Sequence, residues 1–208
     1  MSATGRGAIR KANDGYATPG WCVDRLLERV DLPGGHWLEP CAGQGNIIEV
    51  VNRRRQDVHW SAVEIRPQHE ARLARLDLRA CRIGDFLALE PAAMAFFPRY
   101  DVVITNPPYF FARQFIERCR PIARIVAMLL RVNFLASEER HEWWLRHGMP
   151  DMYVLPNRPD FTGGGGDATE YAWLVFEEGV RQFGRFQVLA LTPEHERKRE
   201  KARLRVIK

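Results

Sequence analysis

The chain has 208 residues, 46% of them hydrophobic, which is enough for one sizeable core and fits a single domain better than two. No apolar run reaches membrane-spanning length and the first residues lack the apolar stretch of a secretory signal, so the expectation is a soluble, cytoplasmic protein with no membrane contact. Four scattered cysteines with no Cys-x-x-Cys pair, and no histidines at ligand spacing, argue against a metal site or a disulfide framework, while 31 Lys+Arg against 26 Asp+Glu leave a net charge of +5 that suits an anionic partner.

Residues 1–14 are small, polar and basic and are expected to form a flexible arm. Tyr16-Ala17-Thr18-Pro19-Gly20-Trp21 leads into Val23, Leu26, Leu27 and Val30 at helical spacing, with Thr18 placed as cap and Pro19 in the first turn. Trp37-Leu38-Glu39-Pro40-Cys41-Ala42-Gly43-Gln44-Gly45-Asn46-Ile47-Ile48 predicts a strand, a glycine turn and a helix; glycine there permits positive φ and lets a ligand approach the backbone. A second strand, Val58 to Ile65, carries Glu64 at its end, about twenty residues on, the offset at which a carboxylate grips ribose hydroxyls in nucleotide sites.

A third strand around Ala80 to Ile83 leads to Gly84-Asp85-Phe86. Asp85 either accepts from an adenine amino group, with Phe86 covering the ring, or caps the short turn that follows. Residues 88–98, with Pro91 and Pro98, read as a loop holding at most one helical turn.

The apolar run Val102-Val103-Ile104-Thr105 predicts a buried fourth strand that breaks at Asn106-Pro107-Pro108-Tyr109. The prolines stiffen its end, because proline fixes φ and donates no N–H. Asn106 then offers a side-chain oxygen, Pro107 a carbonyl and Tyr109 a flat aromatic face, a set that suits a planar molecule bearing an NH2 group. The lone pair of such an amine is delocalised into its ring or acyl group. Accepting hydrogen bonds from both N–H groups favours a more tetrahedral nitrogen and turns its electron density toward an electrophile.

Phe110 to Cys119 suits a helix, Arg124 to Leu130 a strand, and Ser137 to His147 an acidic-starting, basic-ending helix in which Trp143 and Trp144 pack while His141 and His147 meet solvent. Met152 to Leu155 and Glu170 to Glu178 predict two more strands. Between them Arg158, Phe161 and four consecutive glycines, Gly163 to Gly166, form either a floppy connection or a lid; as a lid, Arg158 and Phe161 would meet phosphate and base. The apolar segment Phe186 to Leu191 closes a single domain over 15–192. The basic segment 193–208 reads as a solvated helix or disordered end, or as a contact for nucleic-acid phosphates.

Taken together, these residues resemble the amino-group DNA methyltransferases that use S-adenosyl-L-methionine, in the arrangement where the Thr-Pro motif comes first and Asn-Pro-Pro-Tyr follows the glycine motif. The similarity runs from about Tyr16 to Phe176 and looks nearest to small N6-adenine enzymes of phages and prophages. It implies an α/β, Rossmann-like class I methyltransferase fold with a mixed seven-stranded sheet and helices on both faces. It also implies that Tyr16, Thr18 and Pro19 hold the methionine part of the cofactor, that Glu39, Cys41, Ala42, Gly43 and Gly45 line the same pocket, that Glu64 binds ribose, and that Asp85 and Phe86 bind adenine. Asn106 and Pro107 would hold the target amine beside the cofactor, with Tyr109 stacking on the base, Pro108 and Arg158 contacting substrate and Phe161 forming a second wall. No metal is implied.

About thirty residues follow Glu178, too few for a second core, which leads to the expectation of little or no separate target-recognition domain. Recognition would then be short or relaxed, be supplied by a partner subunit, or concern RNA. The nitrogen chemistry is shared with enzymes for RNA bases (adenine N6 or guanine N2) and for protein glutamine, which rank below DNA adenine in that order. A binding module that kept the fold without turnover is the remaining alternative.

Overall fold

The computed structural model describes residues 17–90, 99–161, 169–179 and 184–206; Tyr16, the glycine run and most of the connection containing Pro91 and Pro98 lie outside them. One sheet in the order β3-β2-β1-β4-β5-β7-β6-β8 organises the chain. Its strands are β1 (Gly35–Glu39), β2 (Val58–Glu64), β3 (Leu78–Ile83), β4 (Tyr100–Thr105), β5 (Ala123–Arg131), β6 (Asp151–Val154), β7 (Tyr171–Glu177) and β8 (Phe186–Val188). Pairing is parallel from β3 through β5, and β7 runs antiparallel between β5 and β6. This is the expected mixed sheet of seven strands, extended by the three-residue β8 pairing in parallel with β6.

The helices are α1 (Gly20–Leu27), α2 (Asn46–Arg54), α3 (Glu70–Leu73), α4 (Ala112–Cys119), α5 (Glu138–His147) and α6 (Glu194–Val206). They cover both faces because β4 and β5 are apolar on both sides, as central parallel strands must be. On one face Trp37 and Trp60 meet edge-to-face, 5.5 Å between ring centroids, in a core with Leu26, Ile48 and Val51. Trp173 on that face donates from its indole nitrogen to the Cys22 carbonyl (2.8 Å), fastening α1 to β7. On the other face Phe115 and Ile116 of α4 pack with Met128, Leu130 and the buried Trp143 and Trp144 of α5. His141 is exposed, while His147 lies half-buried against Trp143.

Two caps differ in kind. Ser137 accepts from the Arg140 amide and starts α5 with acidic residues in its first turn, as its sequence predicts. Thr18 does not cap α1: Pro19 occupies the cap position, and the Thr18 hydroxyl reaches instead to the end of β4.

The basic C-terminal segment is a helix, and several of its charged side chains meet the rest of the domain. In α6, Glu200 accepts from the Gly20 amide at the start of α1 (3.1 Å), Arg203 meets Glu49 of α2 (2.7 Å) and Lys201 meets Asp160 (3.0 Å). Each such pair at the surface contributes little, but together they join α6 to α1, α2 and the segment holding Asp160.

Gly45 forms the left-handed cap of α2 at φ 83°, where an added Cβ would meet Leu76. Gly45→Ala is therefore expected to destabilise the protein by about 1–2 kcal/mol through backbone strain, read as a lower urea midpoint at unchanged slope.

Candidate active site

Parallel pairing of β1 with β4, Trp37 opposite Val102 and Leu38 opposite Val103, brings the carboxyl ends of the two strands side by side. The glycine turn after β1 and the Asn-Pro-Pro-Tyr corner after β4 therefore open into one cleft. Its volume is about 1330 Å³, above the roughly 300–1,000 Å³ of a single small-molecule pocket. Thr18, Glu39, Cys41, Ala42, Gly43, Glu64, Asp85, Phe86, Asn106, Pro107, Pro108, Tyr109 and Phe161 all line it. Pro19 and Gly45 stand just behind as the caps of α1 and α2, and Arg158 lies away from the lining, ion-paired with Glu170 at 2.6 Å.

In the glycine half, Glu39 is 2% exposed and its Oε2 has no hydrogen-bond partner. Burial, with Glu64 nearby, holds its carboxyl well above the usual range. A buried oxygen without a partner on the wall of a cleft calls for a donor from a ligand, and a cationic amine meets both needs. Glu64 is also buried, but its oxygens are engaged. Oε2 accepts from the Gly43 amide (2.6 Å), and Oε1 accepts from the Arg66 backbone (3.1 Å) and side chain (2.6 Å). Gly43 adopts φ 56°, which turns its amide into this bond. The Ala42 amide is held by the Val63 carbonyl, and Cys41 packs against the apolar core of the second face.

Asp85 accepts from the Leu87 amide (2.9 Å) and caps a short 3-10 turn, so of its two sequence readings the capping one is realised, on a residue that still faces the cleft. Phe86 is 2% exposed, stacked on Phe115 at 5.5 Å with the Arg118 guanidinium over its ring. Little of its face is left to cover a ligand.

In the other half, Asn106 is held from both sides: its Nδ2 donates to the Thr18 hydroxyl (3.1 Å) and its Oδ1 accepts from the Tyr109 hydroxyl (3.0 Å). Desolvation pushes the Tyr109 phenol well above its ordinary value, so that group stays a proton donor. No described residue donates to the Pro107 carbonyl, whereas the Pro108 carbonyl accepts from Phe111 (2.9 Å). Arg131, the last residue of β5, lies 5.1 Å over the Tyr109 ring, and Phe161 meets Tyr171 edge-on at 5.2 Å.

Sequence reasoning missed several lining residues: Arg66, Phe110, Arg131, Asn133, Arg140 and Tyr171. The available signal was an arginine ending an otherwise apolar strand, Leu129-Leu130-Arg131, at the same carboxyl edge as the two motifs. All four cysteines are free, and among the described residues no group of three or more His, Cys, Asp or Glu could hold a metal ion. Nor is any described helix long and apolar enough to cross a membrane.

No protein-family model and no curated protein sequence matches the chain. Solved structures do. A candidate RNA methyltransferase from Pyrococcus horikoshii superposes with a TM-score of 0.60 at 16% identity, over 79% of this chain and 88% of that one. A candidate O-methyltransferase from Agrobacterium tumefaciens gives 0.61 at 17% identity, over 83% and 86%. The modification subunit of a candidate type I restriction enzyme from Vibrio vulnificus gives 0.57 at 15% identity, over 89% of this chain and 49% of that subunit. The chain has the α/β Rossmann-like fold of the class I S-adenosylmethionine-dependent methyltransferases.

Thr18→Val keeps the shape and removes the hydroxyl that fixes Asn106. Losing about 0.5–1.5 kcal/mol of hydrogen bonding should lower the urea midpoint accordingly at unchanged slope, with an unchanged circular-dichroism spectrum. Glu39 makes a second prediction. Folded protein keeps the Glu39 proton above its ordinary 4.5, so unfolding releases it and stability falls as pH rises beyond that value. Glu39→Gln should remove this component: urea denaturation of unliganded protein at pH 5 and pH 8 should show a smaller loss of stability in the variant than in the parent.

Proposed function

We propose that the protein is an S-adenosylmethionine-dependent N-methyltransferase whose acceptor is the exocyclic amino group of adenine in DNA. One observation carries the reading: the acceptor pair of Asn106 and Pro107 opens into the same cleft as the glycine turn and the unpartnered Glu39 oxygen.

The residues present fit the cofactor. Glu39 would take its ammonium group, Gly43 lets it approach the backbone, and Glu64 at the end of β2 would meet its ribose hydroxyls once Arg66 yields an oxygen. When bound, S-adenosylmethionine supplies a methyl group already activated by a positive sulfur. The protein's task is then alignment and polarisation. Asn106 Oδ1 and the Pro107 carbonyl accept from the two N–H groups of the target amine and return electron density to its nitrogen. Thr18 and Tyr109 hold the Asn106 amide so that its oxygen is presented before the substrate arrives. A nitrogen that has taken a fourth bond is strongly acidic, so its proton passes to water without a dedicated base.

Adenine in a duplex hides its amine in the pairing edge, so the base must leave the stack or be unpaired, at a cost of a few kcal/mol. Stacking on Tyr109 offsets that cost, and a base entering there displaces the Arg131 guanidinium from the ring. The same corner would serve an RNA amine, adenine N6 or guanine N2, and that is the second reading.

The test is to incubate the protein with isotope-labelled S-adenosylmethionine and DNA, RNA and protein acceptors, then digest to nucleosides and amino acids. Label in N6-methyldeoxyadenosine is expected; label in RNA or glutamine alone would overturn the choice of acceptor. Asn106→Ala should lower turnover about 10²–10³-fold and leave cofactor affinity by calorimetry nearly unchanged. Glu64→Ala should lose affinity.

A further inference from the structure

Phe110 follows the Asn-Pro-Pro-Tyr corner directly, yet its ring is 87% exposed, the most exposed large hydrophobic side chain among the described residues. It lines the mouth of the cleft, edge-on to Phe111 at 5.0 Å, while Tyr109 beside it is turned inward. An aromatic ring in water at the rim of a reaction cleft, on a backbone stiffened by two prolines and a 3-10 turn, is held out at the cost of its hydration.

The carboxylates of the cleft, Glu39, Glu64 and Asp85, all belong to the ends of β1, β2 and β3, where Arg66 is ion-paired with Glu64 at 2.6 Å. From β4 onward the charged lining residues are Arg131 and Arg140, both arginines. Arg140 is itself anchored, donating to the Phe134 carbonyl (3.1 Å) with its guanidinium 4.4 Å over the Phe134 ring. A flat apolar surface in one cleft with fixed cations complements a stacked base with its phosphates.

On the reading above that the acceptor is a DNA base, we propose that Phe110 is a base-stacking residue: its ring takes the base next to the target, filling the stack that the target leaves on entering the cleft. Arg140 would meet the backbone phosphate there. The role is positioning, since Phe110 touches the neighbouring base and not the reacting nitrogen.

The experiment measures fluorescence anisotropy of a labelled single-stranded DNA of mixed sequence and of its duplex, with full-length protein at fixed salt. Phe110→Ala should weaken binding about 5- to 150-fold, the equivalent of roughly 1–3 kcal/mol for one aromatic–base stack. Phe110→Trp should restore it, and Phe110→Leu, apolar but not flat, should not. Affinity for S-adenosylmethionine should be the same in all four proteins, which also reports that they are folded, and the salt dependence of DNA binding should not change in Phe110→Ala. Unchanged DNA binding in Phe110→Ala, or full binding in Phe110→Leu, would overturn the stacking role alone. Wild-type protein that binds neither single strand nor duplex would overturn the DNA reading on which it rests.

Discussion

The proposed chemistry depends on one amide plane. Asn106 stands at the tip of β4 with Thr18 on one side and Tyr109 on the other, so its side chain can neither rotate nor flip without breaking a hydrogen bond of 3.0–3.1 Å. Thr18 comes from the entry to α1, 88 residues earlier in the chain, and Tyr109 from the turn that Pro107 and Pro108 impose. Three segments must be in place before one oxygen is aimed, and the sheet is what places them. Trp173 fastens α1 to β7, and β4 is enclosed between β1 and β5 with Val102, Val103 and Ile104 fully buried.

Glu200 of α6 adds a fourth element to this arrangement. By accepting from the Gly20 amide it satisfies a donor at the start of α1, where Pro19 contributes no side-chain cap. The C-terminal helix thereby supports the segment that carries Thr18, while its Lys201 holds Asp160, next to Phe161 on the far wall of the cleft.

Much of this could be read from residue order because local chemistry dictated it. Apolar runs set the strands, the glycines at 43 and 45 adopt the positive φ that a turn from strand to helix requires, and Ser137 caps its helix. Readings failed where one side chain had a distant partner. Thr18 has the sequence of a cap but its hydroxyl goes to Asn106; the segment after residue 193 is a helix, one of its readings, but not a wholly solvated one, since Glu200, Arg203 and Lys201 meet α1, α2 and Asp160. Arg131 had only the signal of an arginine ending its apolar strand, since the pairing of β4 with β5 is what brings it beside the corner, and Arg140 on α5 had none. Asp85 was legible as two alternatives, of which the cap is seen in its bond with the Leu87 amide while the side chain still lines the cleft.

The cleft's carboxylates, with Arg66 paired to Glu64, stand apart from Arg131 and Arg140 because the glycine turn and Glu64 lie on the β3-β2-β1 side and the corner on the β4-β5 side. A donor with a cationic amine and an acceptor with phosphates would each find its complement, and they would meet at Asn106. The most direct measurement is a crystal structure of the protein with S-adenosylmethionine and adenosine bound together. The adenine amino nitrogen is expected within about 3.2 Å of both Asn106 Oδ1 and the Pro107 carbonyl, with the sulfonium methyl facing it. A methyl directed away from that corner, or an adenine amine bonded elsewhere, would contradict the proposal.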